Sequence, residues 1–139
     1  MLAVGLREKP MEDQTEHFVV LPFRLGDLVH VLLVRSDAAD GWRLPAGPSR
    51  KGLPQYESAA REARRQAGVT GQIYKRPLRH TGRARRVNIF PLLVQAGVHT
   101  AEQEATIRWF SLQDAAQMVD RDLRDALDAF AQRIGRRAI

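Results

Sequence analysis

The chain contains no cysteine, few aromatic residues and no long apolar segment. The lack of cysteine excludes disulfide bonds and thiolate metal sites. No apolar run approaches the roughly 20 residues that a membrane-spanning helix requires. The N-terminal stretch MLAVGLREKPMEDQTEH has neither a long apolar core nor a cleavage signature, so it is not typical of a signal peptide. We therefore expect a cytoplasmic protein that is not associated with a membrane.

Histidine and lysine are also scarce. The histidines are not spaced like metal ligands, which argues against a histidine metal cluster; they are His17, His30, His80 and His99. Only three of the 22 basic residues are lysines, the rest are arginines, and the formal net charge is +6. Arginine pairs bidentately with phosphate, so this composition favours a phosphorylated ligand or nucleic acid. A biased genomic base composition would also enrich arginine.

Aromatic residues make up 6% of the chain, so stacking platforms for single-stranded nucleic acid are few. We therefore expect a phosphorylated small molecule as the partner, ahead of nucleic acid.

The rest of the sequence predicts a single domain over residues 17–139, after a flexible, polar N-terminal segment over residues 1–16. Apolar runs and helical patterns follow in the order β-β-loop-α-β-β-β-α. This order predicts an α/β (α+β) fold with a mixed sheet sandwiched between helices. The predicted strands are His17–Leu25, Leu28–Arg35, Val69–Leu78, Arg86–Gln95 and Ala105–Ser111, and the predicted helices are Pro54–Ala67, Gln113–Val119 and Arg121–Ile134.

Residues typical of turns and helix caps, and residues that share one face of a helix, support several of these predicted elements. Gly26 and Asp27 predict a hairpin between the first two strands, whereas Pro22 indicates an edge strand or a bulge. Gly68 predicts the C-terminal cap of the first helix. The alanines of that helix share one face, so we expect the helix to lie close to the sheet; they are Ala59, Ala60, Ala63 and Ala67. An apolar stripe in the last helix predicts core packing; it consists of Leu123, Leu127, Phe130 and Ile134.

The stretch GWRLPAGPSRKGLPQYESAAREARRQAGV, from Gly41 to Val69, resembles the Nudix box, G-x5-E-x7-R-E-U-x-E-E-x-G-U, where U is aliphatic. The matching residues are Gly47, Arg61, Glu62, Gly68 and Val69. The segment LPAGPSRKGL is most similar to the branch of Nudix hydrolases that acts on diphosphoinositol polyphosphates and diadenosine polyphosphates, in which a leucine also stands at the position of Leu53. The resemblance covers roughly residues 17–134. It implies the Nudix fold and the cleavage of a diphosphate linkage.

The resemblance also implies a divalent-metal site, which this sequence alters. In Nudix hydrolases, glutamates on one face of the box helix hold Mg²⁺ or Mn²⁺ against a pyrophosphate. The corresponding positions here are Glu62, Arg65 and Gln66. Hard divalent cations require oxygen ligands. Gln66 offers one neutral carbonyl, whereas Arg65 would repel the ion by on the order of 4 kcal/mol for each unit of its charge, at about 4 Å and an effective dielectric near 20. We therefore expect metal binding at Glu62 and Gln66 to be weak or lost.

The resemblance also points to candidate catalytic residues. In the family, the arginine at the position of Arg61 orients the loop and the glutamate at the position of Glu62 contributes to the metal site. A structural ion network is the alternative role for both residues. Relatives often supply a further glutamate from a loop beside the site, for which Glu104 and Glu102 are candidates unless that loop is simply solvated.

Candidate phosphate-binding residues lie in two regions. Arg50, Lys51 and Arg65 belong to the box, and Arg85 belongs to the basic run KRPLRHTGRARR. This run could line a pocket for a highly phosphorylated ligand, contact a nucleic-acid backbone, or form a solvated loop.

Three functions therefore stay open. The first is a Nudix-family protein that binds a nucleoside or inositol polyphosphate-like ligand, with weak or absent metal-dependent pyrophosphohydrolase activity. The second is an active Nudix hydrolase that uses other acids, such as Glu62 and Glu104. The third is a basic module that binds a protein or nucleic acid. Whether the chain is an enzyme depends on the altered positions Arg65 and Gln66.

Overall fold

The computed structural model describes residues 17–35, 41–81, 86–97 and 99–138. Within these residues the strands are β1 (His17–Arg24), β2 (His30–Arg35), β3 (Trp42–Arg43), β4 (Ala46–Pro48), β5 (Val69–Ile73), β6 (Leu78–Thr81), β7 (Arg86–Gly97) and β8 (Ile107–Ser111). The helices are α1 (Gln55–Ala67), α2 (Ala101–Thr106), α3 (Leu112–Met118) and α4 (Arg121–Ala138). The strands of the described chain form one mixed sheet, in which β3, β2, β1, β7 and β5 are consecutive neighbours. The predicted α/β fold is confirmed.

Both faces of the sheet are buried, and alternate residues of each strand serve opposite faces. One core cluster lies between the sheet and α1; its buried members are Phe18, Val20, Leu32, Val34, Ala59, Ala63, Ala67, Val69, Phe90 and Leu92. The other lies between the sheet and helices α3 and α4; its buried members are Leu21, Phe23, Val31, Leu33, Leu44, Ile89, Phe110, Ala115, Val119, Ala126, Leu127 and Phe130. This double burial explains why the runs of β1 and β2 are almost continuously apolar.

Strand β1 lies inside the sheet and changes its neighbour on one side. Its beginning pairs with β4 and its end with β2, while its other side pairs in parallel with β7. The N–H of Val20 donates to the Pro45 carbonyl (2.8 Å), just before β4. Alternate residues of a strand direct their backbone nitrogens to the same side of the strand. The Pro22 nitrogen, like that of Val20, therefore points to the side of β1 on which the neighbouring strand changes from β4 to β2. The prediction of an edge or bulge for Pro22 is wrong, because a residue without an N–H fits this interior position.

Helix α1 packs on the sheet through its alanines, as expected. Pro54 is its extended N-cap residue, and Gly68 ends it with a φ of 67°, a left-handed conformation that favours glycine. Ala59, Ala63 and Ala67 are fully buried, whereas Ala60, which was assigned to the same face, is half-buried. The small side chains let the helix axis lie close to the strands.

We expect Ala63→Leu to destabilise the protein by about 1–3 kcal/mol, because the added atoms would overpack the contact between α1 and the sheet. Urea denaturation measures this change in the free energy of unfolding. The matched control is Arg64→Leu at the next, exposed position of the helix. An Ala63 variant as stable as this control would show that the contact is loose.

Three further predictions need correction. The strand predicted over Val69–Leu78 is two strands, because Pro77 lacks the N–H that would continue the ladder. Part of the predicted basic loop is therefore β6, which pairs with β7. The strand predicted over Ala105–Ser111 begins at Ile107, after helix α2. Short strands β3 and β4 lie in the predicted loop before α1.

The last helix packs as predicted. Leu127 and Phe130 are buried, and Leu123 and Ile134 pack against the same cluster. No helix in the described ranges is long and apolar enough to cross a membrane.

Candidate functional site

The site predicted on α1 is built around a buried carboxylate. Glu62 is 6% exposed although it is charged. It lies one turn from Ala59 and next to Ala63, on the side of the helix that faces the sheet. Strand β4 passes close to it, since a Cβ added at Gly47 would lie 3.1 Å from the Glu62 Cγ. The glycine of the motif therefore lets the backbone approach this side chain, and any larger residue would displace it.

Three hydrogen bonds converge on one oxygen of this carboxylate. The Arg65 Nε and Nη2 donate to Glu62 Oε1 at 3.0 and 2.6 Å. The Gln66 Nε2 donates to the same oxygen at 2.7 Å. Positions i, i+3 and i+4 of a helix lie together, so the chain order itself brings these side chains into contact. The three side chains at the positions that correspond to the metal-binding face of the Nudix helix thus bind one another.

These contacts keep Glu62 ionised. Burial raises the pKa of its carboxyl, but hydrogen bonds from Arg65 and Gln66 and the positive charges of Arg65 and Arg50 lower it by more. The pKa of Glu62 therefore lies below its usual value. The site holds an internal ion pair rather than an isolated buried charge.

The loop between β4 and α1 is tied to the helix at two points. The Gln66 Nε2 also donates to the Ala46 carbonyl oxygen at 2.7 Å. Further along, the Gln55 Nε2 donates to the Ser49 Oγ at 2.5 Å, and the Asn88 Nδ2 of β7 donates to the Gln55 Oε1 at 2.8 Å. The start of β4 and the first residue of the loop that follows it are therefore held against α1.

Cationic side chains lie on this loop and on the neighbouring end of α1. Arg50 and Lys51 directly follow the anchored Ser49 and are exposed, and Arg50 is near enough to lower the pKa of Glu62. The Arg65 side chain is 69% exposed although it is paired with Glu62. The loop and the C-terminal half of α1 thus present positive charge to solvent beside a neutralised carboxylate.

Other predicted site residues lie apart from this group. Arg61 is exposed on α1, and its side chain has no hydrogen bond or ion pair with any described residue. Glu104 is exposed on α2. Arg85 lies outside the described residues. The structure thus brings together Glu62, Arg65 and Gln66 but does not join Arg61 or Glu104 to them.

Two contacts of the site were missed by the sequence analysis. The Ala46 carbonyl is a backbone group 20 positions before Gln66, and no side-chain pattern indicates its role. The Gln103 Nε2 donates to the Arg65 backbone oxygen at 2.9 Å and so docks α2 on the end of α1. A signal for α2 was present, because Thr100 and Gln103 form a capping box.

The side chains of Glu62, Arg65 and Gln66 do not form a ligand set that suits a hard divalent cation. Such an ion needs several oxygen ligands and gains affinity from carboxylate charge. Here Glu62 Oε1 already accepts three hydrogen bonds, Gln66 directs its NH₂ group inward, and Arg65 adds positive charge. Within the described ranges, no group of three or more histidine, aspartate or glutamate side chains is placed to bind a metal.

The comparisons with known structures identify the fold. The crystal structure of Ap4A hydrolase from C. elegans matches with a TM-score of 0.64 and 17% identity, over 85% of this chain and 96% of that chain. The Nudix domain of Shewanella oneidensis NrtR, complexed with ADP ribose, matches with a TM-score of 0.63 and 16% identity, over 94% of each chain. The chain has the Nudix fold. A Nudix hydrolase structure from Listeria monocytogenes agrees, with a TM-score of 0.65 and 17% identity over 87% of this chain and 94% of that chain.

The resemblance of the sequence to Nudix proteins is confirmed at the level of the fold. At these identities the similarity does not extend to activity. No sequence-family model matches the chain, and no curated protein matches it either. The residues that bear on function are therefore those of α1 and of the loop before it.

Proposed function

We propose that this protein binds a diphosphate-containing, nucleotide-like ligand and has weak or absent metal-dependent pyrophosphohydrolase activity. The observation that carries the proposal is the exposed Arg65 guanidinium, which is paired with the buried Glu62 carboxylate. A Nudix hydrolase would place a divalent cation between helix carboxylates and the diphosphate. In this chain, Arg65 would link Glu62 to the diphosphate instead.

Arg65 has donors left for a ligand. A guanidinium carries five N–H donors, and Glu62 accepts from two of its nitrogens. About three donors therefore stay available on a side chain that is 69% exposed. Bidentate, charge-assisted bonds from arginine to phosphate are among the stronger hydrogen bonds in proteins. Arg65 can thus bind phosphate without releasing Glu62.

The charges next to the loop support the same ligand class. Arg50 and Lys51 are exposed on the anchored loop, and their charges would stabilise the neighbouring phosphate of a diphosphate. Structures with the same fold include one complexed with ADP ribose and one of an Ap4A hydrolase. Both compounds join nucleosides or sugars through phosphates, and they are suitable probes here.

Weak or absent hydrolysis follows from the same arrangement. Arginine binds and orients a phosphate, but unlike a bound cation it does not lower the pKa of water to produce a nucleophile. Glu62 is hydrogen-bonded within the helix and is not available as a base while Arg65 and Gln66 hold it. Turnover would therefore need an acid from elsewhere, such as Glu104.

We expect Arg65→Gln to weaken the binding of ADP-ribose about 10- to 100-fold in EDTA, because it removes a charge-assisted bond worth about 1.5–3 kcal/mol. Calorimetric titration of the purified protein measures this change. The matched control is Arg64→Gln, which removes the same charge from the neighbouring exposed position. Equal affinities of the two variants would mean that net charge alone attracts the ligand.

The hydrolysis part of the proposal has its own test. The unaltered protein is incubated with ADP-ribose, Ap4A and inorganic pyrophosphate in Mg²⁺ or Mn²⁺, and phosphate and nucleotide products are measured. We expect turnover far below the roughly 1–10³ s⁻¹ typical of enzymes. Turnover within that range would contradict the proposal and favour an active hydrolase, and its loss in Glu104→Gln would then identify the acid.

A further inference from the structure

The side-chain amide of Gln66 lies between two oxygens from different parts of the chain. Its Nε2 is 2.7 Å from Oε1 of Glu62 on the same helix and 2.7 Å from the carbonyl oxygen of Ala46 at the start of β4. Both partners are acceptors without hydrogens, so only the NH₂ end of the amide can satisfy both. A carboxylate at this position would add a third acceptor and would donate to neither oxygen, so the Ala46 carbonyl would lose its hydrogen bond from position 66.

A group that bridges a carboxylate oxygen and a backbone carbonyl oxygen has the function of a shared cation. Such an ion would attract both oxygens and hold the loop against the helix. The amide of Gln66 makes the same connection with two hydrogen bonds, and Arg65 adds the positive charge beside Glu62. The connection is part of the folded chain and needs no ion from solution.

We infer that Gln66 is a positioning residue that replaces a divalent cation as the cross-link between α1 and the ligand-binding loop. The cross-link holds the loop that carries Arg50 and Lys51 in its binding geometry whether or not a metal is present. Gly47 supports it, because its lack of a side chain lets β4 reach Glu62. The link to ligand binding rests on the function proposed above, whereas the cross-link itself can be tested without a ligand.

A backbone amide reports on the cross-link directly. The N–H of Val20 donates to the Pro45 carbonyl (2.8 Å), one residue before Ala46, so release of the loop should expose it. The N–H of Leu112 donates to the Val29 carbonyl (3.2 Å) at the start of α3, on the other face of the sheet, and serves as an internal reference. Hydrogen exchange at these two amides separates loop opening from global unfolding.

Two variants change the amide with little change in size. In Gln66→Met, we expect exchange at Val20 to become about tenfold or more faster relative to Leu112, because the donor is lost. In Gln66→Glu, we expect the same acceleration in EDTA and its partial reversal by Mg²⁺, since a cation could then join the two carboxylates and the carbonyl. In the unaltered protein, exchange at Val20 should be the same in EDTA and in Mg²⁺.

Gln72→Met is the matched control, because Gln72 is exposed on β5. An unchanged ratio of Val20 to Leu112 exchange in Gln66→Met would overturn the cross-link. Slowing of Val20 exchange by Mg²⁺ in the unaltered protein would also overturn it, and this measurement needs no variant.

Binding of inorganic pyrophosphate in EDTA separates the cross-link from the proposed function. We expect Gln66→Met to bind pyrophosphate about fivefold or more weakly than the unaltered protein, since the loop loses its preorganisation. If the unaltered protein does not bind pyrophosphate, ADP-ribose or Ap4A but Val20 exchange responds to Gln66→Met, the proposed function fails and the cross-link stands. If binding is strong and equal in both proteins, Gln66 does not position the loop for binding.

Discussion

We expect the double variant Arg65→Glu/Gln66→Glu to lose about 3–5 kcal/mol of stability in EDTA, because it removes several hydrogen bonds to a charged group, each worth about 1.5–3 kcal/mol, and adds negative charge beside Glu62. The variant would place three carboxylates on one helical face beside the Ala46 carbonyl, without the hydrogen bonds that Glu62 now accepts. The positive charge of Arg65 and the hydrogen bonds are both lost from Glu62, which is only 6% exposed. Urea denaturation in EDTA measures the effect.

Added Mg²⁺ or Mn²⁺ should stabilise the double variant but not the unaltered protein. Three carboxylates and a carbonyl form an oxygen-rich site that suits a hard cation, so the double variant should regain about 2.7 kcal/mol at a metal concentration of about 100 times the dissociation constant. The unaltered protein should show no comparable gain. In the absence of metal, the double variant should also bind ADP-ribose more weakly, because Arg65 is lost.

The control for this experiment is Arg64→Glu/Gln72→Glu. It changes the net charge by the same amount at two exposed positions away from Glu62. If both double variants respond equally to metal, the response comes from surface charge. If Arg65→Glu/Gln66→Glu binds neither metal nor phosphate, the site around Glu62 has no ligand role.

The second large effect concerns the pH dependence of stability. The folded pKa of Glu62 lies below the usual glutamate value of 4.5. A lowered pKa means that the ionised form is stabilised by folding, so this stability is present above about pH 4.5 and is lost as the pH falls through the folded pKa. At pH 7, we expect Glu62→Gln to be less stable than the unaltered protein by about 1.5–3 kcal/mol, the range for hydrogen bonds to a charged group.

The difference in the free energy of unfolding between Glu62→Gln and the unaltered protein should shrink as the pH is lowered below about 4.5. At low pH, Glu62 becomes protonated in both the folded and the unfolded chain. Urea denaturation at a series of pH values between about 7 and 3 measures it. Glu57→Gln removes an exposed carboxylate from the same helix and serves as the control. A difference that stays constant over the whole range would show that the effect of Glu62→Gln is steric and does not arise from the ion pair.

Several parts of the fold could be predicted because they depend on local pattern. The hairpin, the cap at Gly68 and the alanine face of α1 all follow from residues within one element or turn. The order of strands and helices predicted the sandwich, since apolar runs of strand length and an alanine-rich helix have few ways to bury their faces. The positions of Arg65 and Gln66 next to Glu62 on one helical face also follow from helix geometry.

The boundaries of the helices and strands, and the neighbours of each strand in the sheet, were less predictable. The prediction for Pro22 was wrong because a proline usually marks an edge, whereas here β1 changes its neighbour at that position. The strand predicted over Ala105–Ser111 begins two residues later than expected, because Ala105 and Thr106 end α2, whose start is defined by a capping box at Thr100. In both cases the deciding contacts were not part of the apolar pattern.

The sequence by itself determined that Glu62, Arg65 and Gln66 share a helical face and that only one of the three is a carboxylate. Only the tertiary structure decided what these residues do with one another. It buries Glu62 beneath β4, brings the Ala46 carbonyl to within 2.7 Å of Gln66 and docks Gln103 on the end of the helix. The physical reason is that such contacts join residues 20 to 38 positions apart, and their distances depend on how the sheet places each backbone, which the periodicity of a single element does not specify.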